Sequence, residues 1–147
     1  MRLFRLGLSA VAVAAAVACG DSTGVTVSDI TGTWSASSAV FTNLANSSEQ
    51  FDLIADGGGT ITATFSADGS YSISITVPPD PAELDVGTVD VRGDTLTLAE
   101  SGQGSPTDFI ASVSGNTLTL TTDEEEYDFD DNGTDDPARL RVVFQKQ

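Results

Sequence analysis

Apolar residues return at every second position through most of this chain. In "TITATFS" Ile61, Ala63 and Phe65 fall on one face and threonines on the other, and in "YSISITV" Tyr71, Ile73, Ile75 and Val77 oppose serines and threonines. Strand side chains alternate between faces, whereas a helix repeats every 3.6 residues, so this period of two specifies β-structure. Ser66, Ala67, Asp68 and Gly69 join the two runs, and Asp-Gly tolerates the positive φ of a tight hairpin turn. The same grammar joins "GTVDV" to "TLTLA" across Arg92, Gly93 and Asp94, and "DFIASV" to "TLTLTT" across Ser114, Gly115 and Asn116. Arg-Gly-Asp also spells an adhesion motif, but between two strands it reads as a turn.

Eight strands are expected, near 30–41, 60–66, 70–77, 86–91, 95–99, 107–113, 117–122 and 139–146. Consecutive hairpins form a meander, and eight strands close into a barrel with no free edge. The expected fold is therefore all-β, an eight-stranded antiparallel up-and-down barrel over residues 30–147. Membrane barrels need strands of about 9–11 residues and aromatic girdles. These runs are mostly shorter and only 7% of the chain is aromatic, so the apolar face is expected inside a soluble barrel. Its members would be Ile61, Phe65, Tyr71, Ile73, Ile75, Leu96, Leu98, Leu118 and Leu120. They either line a site for a small hydrophobic ligand or pack the interior shut. One stretch breaks the pattern: "SSEQFDLIADGGG" has a Ser47/Gln50 capping spacing, a Phe51/Ile54 apolar pair and Gly57 as a stop. It reads as a short helix over Ser48–Ala55 lying across one mouth after the first strand, or as an irregular loop.

The N-terminal sequence carries an address. Arg2 and Arg5 precede an apolar run from Leu6 to Ala18, which has the length of a secretory h-region and is too short to span a bilayer. The following "AVACGDSTG" resembles the lipobox of bacterial lipoproteins, with Ala16 where that family usually has leucine. The resemblance implies a signal peptide over 1–18, cleavage before Cys19 and acylation of that cysteine. Three acyl chains at about 0.8 kcal/mol per buried CH₂ anchor a protein almost irreversibly. Residues 19–29, rich in Ser, Thr, Gly and Val, are expected to be a flexible tether. Gly20 occupies the place where an inner-membrane retention aspartate would stand, so a bacterial outer-membrane location is favoured.

Without Arg2 and Arg5, the cations are Arg92, Arg139, Arg141 and Lys146 against 22 acidic residues. Such a field repels nucleic acid; a monomer with no nucleic-acid partner is expected. The chain has no histidine and one cysteine, which removes Ser/His/Asp and Cys/His nucleophiles and the usual zinc and copper ligands. "DGGGT" follows no strand-to-helix phosphate motif. A non-enzyme is expected.

Against this architecture, Gly32, Thr33 and Trp34 resemble the Gly-x-Trp that opens the first strand of lipocalins. Thr107, Asp108 and Phe109 are similar to that family's Thr-Asp-Tyr, with phenylalanine in place of tyrosine. The resemblance implies a lipocalin-like barrel holding a small hydrophobic ligand, with Trp34 as a structural plug under Arg139 or Arg141 of the last strand. The alternative is an envelope scaffold or inhibitor module acting through its acidic surface and loops.

Finally, "DFDDNGTDD" places Asp128, Asp130, Asn132 and Gly133 at the D-x-D-x-[DN]-G spacing of calcium loops, followed by the Thr134 carbonyl and Asp136. The twelfth position is Arg139, and Pro137 blocks an exiting helix, which excludes an EF-hand. Two readings stand: a weak structural calcium site, or a hairpin turn specified by Asn-Gly alone.

Overall fold

The computed structural model of the protein describes residues 24–147 except Gln103. The expected signal peptide over 1–18 and Cys19 lie outside the described residues. One four-residue helix, α1 (Val27–Ile30), precedes nine strands: β1 (Gly32–Asn43), β2 (Gln50–Asp52), β3 (Thr60–Phe65), β4 (Ser70–Thr76), β5 (Glu83–Arg92), β6 (Thr95–Glu100), β7 (Thr107–Ser114), β8 (Thr117–Tyr127) and β9 (Asp136–Lys146). Neighbours from β3 to β9 pair antiparallel in chain order, β1 pairs with β3, and β1 also pairs with β9 along most of its length. The result is a closed eight-stranded antiparallel barrel. β2 is an extra short strand on Val40–Thr42 of β1, beyond the Gly32–Ser35 segment that pairs with β3.

The alternation read from the sequence sorts inside from outside. Ile61, Ala63 and Phe65 are buried while Thr60 before them and Thr62 between them are exposed, and Leu118 and Leu120 are buried on β8. An apolar lumen behind a largely polar exterior is the reverse of a membrane barrel, whose lipid-facing band is apolar. The hairpin turns use glycines in the left-handed region, Gly69 at φ 81°, Gly93 at 67° and Gly115 at 58°. These turns gather at one end of the barrel, together with the start of β1 and the end of β9.

That end is closed. Trp34 is fully buried there, and its indole Nε1 donates to the Ile30 carbonyl at 2.6 Å. Lys146 Nζ lies 5.1 Å from the ring centroid, a cation–π arrangement. The cation expected over Trp34 was an arginine, and here the structure differs: β9 register sets Lys146 opposite Trp34 and Arg139 opposite Thr42, most of a strand away. Arg139 instead makes a two-pronged ion pair with Asp123, at 2.6 and 2.9 Å, and Arg141, exposed and paired in register with Val40, is equally remote from the tryptophan.

Two further expectations are corrected. The described part of the expected tether is built into the fold: the Val25 amide donates to the Gly93 carbonyl at 2.8 Å, and Ile30 of α1 is fully buried beneath the barrel. The helix starts where Asp29 accepts from the Thr26 amide at 2.9 Å and from its hydroxyl at 2.6 Å. Conversely, Ser48–Ala55 is not helical. Asn43, Asn46 and Asp52 take local backbone amides as partners, which competes with helix formation. Asp52 alone accepts from the amides of Ala39, Ile54 and Ala55. Phe51 then stacks on Tyr127 with centroids 5.0 Å apart, and Tyr127 also stacks on Phe41 and meets Phe129 edge-on. This four-ring cluster ties β1, β2 and the end of β8 together at the opposite, open end. Among the described residues, the strand circuit from β1 to β9 closes on itself and encloses the core, so residues 24–147 carry the complete ring of strands.

Candidate functional site

The barrel interior divides into two halves. Toward the closed end Trp34, Phe65, Leu96 and Leu118 have essentially no exposed surface. Toward the open end the interior side chains leave a cavity of about 200 Å³. Of the nine interior positions predicted from alternation, Ile61, Tyr71, Ile73, Ile75, Leu98 and Leu120 line this cavity. Phe65, Leu96 and Leu118 do not; they form the packed floor. Phe109, Leu140, Val142 and Phe144 complete the apolar wall; the same alternation continued along β7 and β9 would have found them.

Three carboxylates also line the cavity: Asp85, Glu100 and Glu125. Register explains the first two. Tyr71 on β4 pairs with Gly87 on β5, and Gly87 pairs with Glu100 on β6, so the three stand in one inward-facing row. Asp85 is two residues from Gly87 and shares its face. Gly87 is required by close backbone approach, because a Cβ there would collide with the Ala99 carbonyl of β6. Burial, and then the Asp85 and Glu100 carboxylates, hold the Tyr71 phenol above its ordinary pKa.

Glu125 reaches the cavity through a bulge. Register shifts between Thr122 and Glu125, so that both face inward while Asp123 turns out to meet Arg139. Burial, and secondarily the Glu124 carboxylate, raise the Glu125 pKa. A carboxyl whose folded-state pKa is raised binds its proton more tightly when folded, so stability falls as pH rises from the ordinary carboxylate range through the raised value. Glu125→Gln should therefore melt at a higher temperature than the parent at neutral pH, with the difference vanishing below the ordinary carboxylate range. Equal melting temperatures at both pH values would show that Glu125 is not desolvated.

At the β8–β9 tip, Asp128 accepts from the amides of Asn132 at 3.1 Å and Gly133 at 2.7 Å, and Asn132 Oδ1 accepts from the Thr134 amide at 2.8 Å. The Gly133 amide donor, supported by the Asn132 amide and opposed by desolvation, holds Asp128 below its usual pKa. Asp128 and Asn132 of the calcium spacing are thus engaged with loop backbone, and no group of three or more acidic side chains among the described residues is arranged to hold a metal.

No protein-family model, no curated protein and no solved structure matches this chain. The likeness to lipocalins rests on the barrel: eight antiparallel strands in up-and-down order, with a tryptophan near the start of the first strand plugging the closed end.

Proposed function

We propose that the protein is a non-catalytic, lipid-anchored envelope protein of lipocalin-like build that holds a small, mainly apolar molecule in its open-end cavity. The cavity carries this reading: a well-packed barrel of this size fills its lumen with side chains, whereas this one leaves about 200 Å³ open toward one end. At about 200 Å³ the space lies below the ~300–1,000 Å³ of drug-sized sites and above the ~150 Å³ that admits benzene in an engineered core. One aromatic ring with a short side chain suits it; a long fatty acid does not.

The anchor rests on the lipobox-like sequence ending at Cys19, and the outer-membrane assignment on Gly20. Detergent-phase partitioning of the full chain, compared with Cys19→Ser, tests the anchor. For the cavity, calorimetric titration of residues 24–147 with 2-phenylethanol should show one site near about 1 mM, as expected for so small a ligand. Ile73→Trp, which places a large ring in the cavity, should abolish it. Equal heats for the parent and a folded Ile73→Trp protein would refute cavity binding.

A further inference from the structure

The cavity has a polarity that an apolar ligand alone leaves unexplained. Asp85 and Glu100 stand on neighbouring strands, Glu125 adds a third carboxylate from β8, and no lysine or arginine is among the described lining residues. Between the first two lies Gly87, which contributes no side chain to the row. Ser105, Thr107 and the Tyr71 hydroxyl are the uncharged polar groups on the same wall. Tyr71 is 6% exposed and lines the cavity, and among the described residues its hydroxyl makes no hydrogen bond. No fully enclosed side-chain oxygen among the described residues lacks a partner, so this hydroxyl opens onto the cavity space.

A wall that carries both apolar side chains and carboxylates with a free phenol asks for a ligand of matching halves. Carboxylates at a half-enclosed mouth attract a cation placed between them, and an ammonium offers three donors to oxygen acceptors. A bare divalent ion does not suit the site, because these carboxylates do not form a grouping able to coordinate one. Resting on the ligand-binding reading above, we infer that the cavity binds a protonated primary amine, its ring or short alkyl body against Ile73, Leu98 and Leu120 and its ammonium among Asp85, Glu100 and the Tyr71 hydroxyl.

The test compares three probes of one shape on residues 24–147 at low ionic strength: 2-phenylethylamine, 2-phenylethanol and phenylacetate. The amine should bind about tenfold tighter than the alcohol, the scale of one charge-assisted hydrogen bond, and phenylacetate should bind weakest. Raising the salt should weaken the amine and leave the alcohol unaffected. The paired isosteric change Asp85→Asn with Glu100→Gln removes charge without removing volume, and it should reduce the amine advantage to within about threefold of the alcohol. Equal binding of amine and alcohol, or an amine preference that survives the paired change, overturns the cationic specificity while leaving apolar binding in place. Binding of none of the three overturns both readings.

Discussion

Trp34→Ala should cost the barrel about 3–5 kcal/mol, the range for removing a large buried aromatic side chain. Three losses add at one residue. The ring is fully buried beside Ile30, its N–H satisfies the Ile30 carbonyl at 2.6 Å, and Lys146 stands over its face. A domain of this size holds roughly 5–15 kcal/mol in total, so the variant would lose a third or more of its stability. The melting temperature should fall by about 10–20 °C. Trp34→Phe separates the contributions: it keeps most of the apolar surface and leaves the Ile30 carbonyl without its donor, for about 1–3 kcal/mol. A loss below about 1 kcal/mol for Trp34→Ala would mean that the closed end is held by something other than this plug.

Gly87→Val should cost about 3 kcal/mol or more, at the upper end of overpacking effects. A Cβ at this position collides with the Ala99 carbonyl, and backbone cannot move aside as a flexible side chain can. Relief requires β5 and β6 to separate, which also breaks the bond from the Ser101 amide to the Val86 carbonyl. The row from Tyr71 to Glu100 passes through this residue, so separation displaces the acidic wall of the cavity as well. Gly104→Ala is the control. It has open space and no left-handed φ, so chemical denaturation should place it within about 0.5 kcal/mol of the parent. A neutral Gly87→Val would contradict the close approach of the two strands.

All eight barrel strands were legible because each carries its own alternation and most are bounded by a turn glycine, as at Gly69, Gly93 and Gly115. What escaped were features whose cause is not periodic. The Ser47/Gln50 spacing resembles a helix start, yet Asp52 organises a turn there, while the true start is marked by Thr26 and Asp29 at the same spacing in a segment that composition alone made look like a tether. Asp85 lay one residue outside the expected fourth strand, and extending the Gly87–Val89 alternation backwards would have placed it inside. Glu125 was beyond reach, because the Thr122–Glu125 bulge reverses the inside–outside order and nothing in "TTDEEEY" announces it. Nor does alternation tell whether inward residues fill the lumen: Leu96 and Leu118 are packed shut while Leu98 and Leu120, two positions along, border open space. That difference arises from volumes contributed by all eight strands at each level, with Trp34 and Phe65 below and Gly87 above.

Methyl NMR of residues 24–147 titrated with 2-phenylethanol tests the half-open barrel most directly, since each buried aliphatic side chain reports for itself. The methyls of Ile73, Ile75, Leu98 and Leu120 should shift together and saturate along one binding curve, while those of Leu96 and Leu118 stay in place. Shifts confined to the exposed Leu84 and Ile110, or no saturable shift at any interior methyl, would contradict a ligand-binding cavity at the open end.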